Sequence, residues 1–113
     1  MSAPRRQGSE AEDRAADFLL AQGYTIVTRR FKAKSGEIDL VALDGETLVF
    51  VEVKQRGEGY RPEDSIGKKK ISHLVAAAKE YVLVTEEQAR AVRYDVVAID
   101  PLGLRHHVDA FQP

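Results

Sequence analysis

A chain of 113 residues, 43% hydrophobic and 31% charged, is long enough for one buried core and too short for two independent ones. It contains no cysteine, which excludes disulfides and thiolate metal ligands. No apolar run approaches the ~20 residues that span a bilayer, so no membrane association is expected. The formal net charge of −1 leaves any affinity for nucleic acid to local patches.

Residues 1–7, MSAPRRQ, carry arginines with no apolar stretch behind them, so they read as a flexible arm and not a signal peptide; the expected compartment is the cytoplasm. Residues 8–113 are expected to form the single domain. The first helix follows Ser9, with Ala11, Ala15, Phe18, Leu19 and Gln22 along one face and Gly23 in the position of a C-cap glycine. YTIVTRRFK (24–32), GEIDLVALD (36–44) and TLVFVEVKQ (47–55) are rich in β-branched and aromatic residues and predict three strands. Glycines and a proline mark 56–67 as a loop, and IGKKKISHLVAAAKEYVL puts Ile71, Leu74, Val75, Ala78 and Val82 on one helical stripe. VRYDVVAI gives a fourth strand, and Pro101 with Gly103 turns the chain into a short strand near LRHHV. The expected class is α/β: an αβββαβ core with a mixed central sheet flanked by helices.

The central hairpin carries the chemistry. With Asp44-Gly45 at the two middle positions of a type I′ turn, residue i faces 89 − i, so Glu37 opposes Glu52 and Asp39 opposes Phe50. Parity then puts Ile38, Leu40, Ala42, Val49, Val51 and Val53 on one face. The other carries Val41, Leu43, Leu48 and Phe50 near the turn, with Glu37, Asp39, Glu52 and Lys54 at the open end. Like charges so close are destabilising unless a cation compensates. A hard divalent ion, Mg²⁺ or Mn²⁺, takes carboxylate oxygens, waters and substrate phosphate, and Lys54 would then act on the reacting phosphate or its attacking water. The alternative is a half-exposed salt-bridge cluster neutralised by Lys54.

Asp39 followed thirteen residues later by Glu52-Val53-Lys54 resembles the D…(D/E)xK signature of the PD-(D/E)XK nuclease superfamily, and the element order is similar to its restriction-endonuclease-like core. The chain as a whole resembles the YraN family of endonuclease-like bacterial proteins. That likeness rests on Gly8-x-x-x-Glu12-x-x-Ala15, Gly36-Glu37-Ile38-Asp39-Leu40, Val49-Phe50-Val51-Glu52-Val53-Lys54, Arg93-Tyr94-Asp95-Val96-Val97 and His107-Val108-Asp109-Ala110-Phe111. Ile38 stands where many members of the superfamily have proline. The resemblance implies Asp39 and Glu52 as metal ligands, Lys54 as the catalytic lysine, and a glutamate on the first helix, Glu12, as a further ligand; Glu37 adjoins them. Ser9-Glu10-Ala11-Glu12 is equally a capping box, with Glu12 reaching back to the Ser9 amide.

Lys68, Lys69 and Lys70 open the second helix, and Arg29, Arg30, Lys32 and Lys34 form another basic stretch. Each is a candidate for phosphate contacts and also has the plainer reading of a solvated charge run. The histidines are assigned no chemistry. The resulting expectation is metal-dependent phosphodiester hydrolysis in DNA, structure-selective because no recognition domain is attached, with branched or single-stranded DNA as partner and a homodimer as a state to test. The alternative is a nucleic-acid-binding or partner-binding scaffold without turnover.

Overall fold

The computed structural model describes residues 9–55 and 66–113; the expected N-terminal arm and most of the expected 56–67 loop lie outside them. Helix α1 (Ser9–Ala21) leads into strands β1 (Thr25–Ala33), β2 (Gly36–Asp44) and β3 (Thr47–Gln55), then helix α2 (Lys68–Val84), β4 (Val92–Asp100) and β5 (Gly103–His107). The five strands form one sheet in chain order, β1-β2-β3-β4-β5. β3 and β4 pair in parallel and the other neighbours pair antiparallel. A parallel pair needs a crossover, which α2 supplies. The mixed α/β class and the αβββαβ order expected from the sequence are the ones the chain adopts.

α1 ends as its sequence dictates. Gly23 has a φ of +94°, and the amides of Gly23 and Tyr24 donate to the carbonyls of Leu20 and Leu19, both at 3.0 Å. These are the two bonds of a Schellman cap, which turns the chain into β1.

Two apolar clusters cover the two faces of the sheet. Against α1 pack Leu40, Ala42, Val49, Val51, Val97 and Ile99 with Ala11, Ala15, Ala16 and Leu19. Against α2 pack Ile38, Val41, Leu48, Phe50 and Tyr94 with Leu74, Ala77, Ala78 and Tyr81. The Tyr81 ring meets Phe31 and Phe50 edge-on, with centroids 5.1 and 5.6 Å apart.

Two expectations about the hairpin are corrected. The turn is centred on Gly45-Glu46: Asp44 pairs with Thr47 and Leu43 with Leu48. Gly45 has a φ of +61° while Glu46 keeps a negative one, the arrangement that admits glycine first and an ordinary residue second. The offset becomes 91 − i, which places Asp39, not Glu37, level with Glu52. The second correction concerns Ile38, which sits in the α2 cluster although Leu40 belongs to the α1 cluster. Strict alternation therefore breaks at Asp39. Its neighbour on β1, Arg30, has a φ of +56°, a conformation L-residues rarely take, and Arg29↔Leu40 and Phe31↔Ile38 keep one register across it. Both strands switch faces at the same level, and that level is where the charged side chains lie.

Candidate active site

The ladder between β2 and β3 runs from the turn to Leu40↔Val51 and goes no further. Beyond it, the Val53 amide donates to Asp39 Oδ2 at 2.8 Å. A side chain thus replaces a backbone partner, which pins Asp39 beside β3 and holds the strands apart. Glu52, on the next level of β3, is only 3% exposed, and its carboxyl lies within hydrogen-bonding reach of Asp39.

Among the described residues, two cations form ion pairs with carboxylates at this end of the sheet. Arg30 Nε lies 2.8 Å from Glu12 Oε1 and its terminal nitrogen 3.4 Å from Glu37 Oε1, so one guanidinium ties α1 to β2. Lys70, in the first turn of α2, places Nζ 3.3 Å from Glu52 Oε2. Lys54 follows Glu52 along β3, is half-buried and forms no ion pair among the described residues.

Burial and neighbouring Asp39, through its charge and a side-chain hydrogen bond, push the Glu52 carboxyl up to about 7, while Lys70 pulls the other way. Burial raises Asp39 as well, against the Val53 amide and Glu52. Glu12 is raised by burial and by Asp39, with Arg30 opposing. With both carboxyls ionised, like charges so poorly solvated repel, and a half-exposed lysine returns about 1 kcal/mol or less. The pair is therefore undercompensated. Glu52 Oε1 fits this: it is buried and accepts no hydrogen bond among the described residues.

A pH dependence follows. Glu52 keeps its proton to about pH 7 in the folded chain, against 4.5 for the ordinary group. Between those values the folded state binds more protons, so stability conferred below pH 4.5 is lost as the pH rises through 7. Asp39 and Glu12 act in the same direction. With chelator present, the melting temperature should fall from pH 5 to pH 8, and Glu52→Gln should flatten that slope. An unchanged slope in the variant would show that the pair does not set it.

Of the residues singled out from the sequence, Asp39, Glu52 and Lys54 come to one end of the hairpin. Glu12 and Glu37 are nearby but are joined through Arg30, and among the described residues no three histidine, aspartate or glutamate side chains form a ready-made metal site. Arg30 and Lys70, read from the sequence as phosphate contacts, lie instead on carboxylates. Arg29 pairs with Asp13 of α1. Lys34 is exposed and its amide donates to Glu80, while Lys68 and Lys69 are exposed at the start of α2.

Sequence reasoning missed a second polar centre. Asp95 is fully buried, yet it accepts from Arg93 Nε at 2.9 Å and from the Asp109 amide at 3.0 Å, and lies 2.8 Å from His106 Nε2. Arg93 also reaches Asp44 at 2.8 Å and the Tyr24 hydroxyl at 2.6 Å. Burial alone would raise Asp95; His106, Arg93 and the Asp109 amide outweigh it and hold the carboxyl below its ordinary value. An aspartate in the middle of the otherwise apolar run YDVVAI was the available signal.

Fold and site together define a mixed α/β protein whose central hairpin opens around a half-buried aspartate and a buried glutamate, the latter followed by a lysine. The chain belongs to the uncharacterised protein family UPF0102, whose model matches residues 11–99, and this bears out the YraN resemblance. It is 38% identical to a UPF0102 protein of Persephonella marina over 93% of this chain and 92% of that protein. A UPF0102 protein of Symbiobacterium thermophilum is 42% identical over 86% of this chain and 84% of its own length. Among solved structures, "Structure of EndoMS-dsDNA2 complex" aligns with a TM-score of 0.40 at 21% identity, over 82% of this chain, which spans 36% of the length of that one. A likeness of that size carries no argument about function.

Proposed function

We propose that the protein is a metal-dependent DNA endonuclease in which Asp39 and Glu52 hold one divalent cation, Mg²⁺ or Mn²⁺, and Lys54 acts on the reacting phosphate. The observation that carries this reading is half-buried Asp39 beside buried Glu52, one of whose oxygens, Oε1, accepts no hydrogen bond among the described residues. A hard cation needs only one or two protein carboxylates when water and substrate phosphate complete its shell, so the pair suffices without a third ligand. When bound, the cation supplies Lewis acidity toward the phosphoryl oxygens and offsets the charge of the carboxylates.

The chain's own groups do the rest. Hydrolysis adds a water oxygen to phosphorus and breaks the bond to one bridging oxygen, so negative charge grows on the phosphoryl group. Lys54, lacking an ion pair among the described residues, is available to donate to a non-bridging oxygen as that charge develops. The Val53 amide holds Asp39 in place, and Arg30, in an αL turn, offsets the charges of neighbouring Glu12 and Glu37. Exposed Lys68 and Lys69 flank the site and suit phosphate contacts outside it. DNA as substrate comes from the D…ExK resemblance. Phosphate contacts position a protein on DNA without reading its sequence, so lysines of this kind suit recognition by shape, with branched or single-stranded DNA ahead of a fixed sequence.

A cleavage assay on linear, flapped and four-way DNA with Mg²⁺ or Mn²⁺ tests this reading. Cutting that chelator abolishes, and that favours a branched form, is expected. No cutting of any form with either ion would leave the scaffold reading in its place.

A further inference from the structure

The two cations at the acidic end are not equivalent. Arg30 is 20% exposed, spans two carboxylates from two elements, and is fixed at both levels by its planar fork and its αL backbone. Lys70 is 49% exposed and makes one contact, at 3.3 Å, to a carboxylate that is 4% exposed. Its place in the fold also lacks a local reason. The first turn of α2 holds no acidic residue, and Gly67 at the N-cap provides no side-chain bond, so Lys68, Lys69 and Lys70 stand together at the positive end of a helix. Among the described residues, the one ion pair of Lys70 is with Glu52.

We infer that Lys70 is an exchangeable counter-ion: it holds Glu52 in the free protein, surrenders that carboxylate to the divalent cation, and is released to the phosphate backbone of the DNA. This rests on the reading of Asp39 and Glu52 as the cation site. The exchange follows from charge. One ammonium neutralises one carboxylate and leaves Glu52 Oε1 bare, whereas a divalent ion between Asp39 and Glu52 neutralises both. The freed ammonium then joins two exposed lysines at a helix N-terminus, a natural seat for an anion. Cation binding and DNA binding are coupled through one side chain, so each ligand favours the other.

Calorimetric titration with Mn²⁺, without DNA, decides the point. Lys70→Met should bind Mn²⁺ more tightly than the wild type, by up to about fivefold, the scale of one half-exposed ion pair. Lys70→Arg, whose fork grips a carboxylate harder, should bind more weakly than the wild type. Lys69→Met, with the same change of charge one residue away, should stay within about twofold of the wild type. Equal or weaker binding by Lys70→Met would overturn the exchange and make Lys70 a residue that orients Glu52, with the cation site itself intact. An equal gain in Lys69→Met would also overturn it, reducing the effect to a general field. If no protein takes up Mn²⁺, either alone or with a short DNA duplex, the exchange and the cation site both fail.

Discussion

Replacing Asp95 with alanine is expected to lower the free energy of unfolding by about 3–5 kcal/mol, the cost of removing one partner from a buried charge cluster. Asp95 is 0% exposed and receives Arg93, His106 and the Asp109 amide. Its removal leaves a guanidinium with only 18% of its side chain exposed and an imidazole wedged edge-on between Phe18 and Tyr24. A domain of this size is stable by about 5–15 kcal/mol in all, so the loss takes a large share. Asp95→Asn keeps the shape and an acceptor oxygen, so it should cost less than the alanine variant. Urea unfolding of the three proteins gives the answer. A loss below about 1 kcal/mol for Asp95→Ala would mean that Arg93 and His106 find water once the carboxylate is gone, and that the network is not what ties the C-terminal segment to β4.

The second large effect belongs to the site. Lys54→Met should abolish DNA cleavage while leaving affinity for the same DNA within a few-fold of the wild type, because the lysine is assigned an interaction that strengthens only as charge develops in the transition state. Methionine keeps the length and apolar stem of lysine, and Lys54 has no ion pair among the described residues to lose, so folding should be unaffected. The informative comparison runs both proteins through identical purification and measures cleavage and binding side by side. Equal cutting by both would point to a contaminating nuclease. Loss of binding together with cutting would make Lys54 a docking residue.

The hairpin shows which parts of this architecture were legible in sequence. Period-two alternation and the Asp44-Gly45 pair located both strands and their covered faces near the turn, because apolar patterning is a local property. The register at the open end was not legible. A glycine can serve either middle position of a two-residue turn, and moving the turn by one residue changes the residue opposite Glu52 from Glu37 to Asp39. The face switch at Ile38 was hidden for a related reason: it depends on Arg30 adopting a left-handed backbone on the neighbouring strand, and arginine gives no sign of that. Partner choice was the least accessible. Arg30 and Lys70 read as basic runs, yet each is drawn to a carboxylate far away in sequence and close in space. His106, assigned no chemistry from the sequence, meets Asp95 because the fold brings β5 alongside β4.

The segment after β5 gives Asp95 a dependence on the order of synthesis. His106 and the Asp109 amide complete its shell, the Ala110 amide donates to the Tyr94 carbonyl at 2.7 Å, and Phe111 stacks on the Tyr94 ring with centroids 5.4 Å apart. On a ribosome these residues emerge after every helix and the first four strands. Until they do, β4 presents to the growing sheet a carboxylate matched by Arg93 alone, and such a strand has reason to stay in water. Residues 106–111 therefore act as a keystone for β4: they supply the partners that let its one fully buried carboxylate leave water.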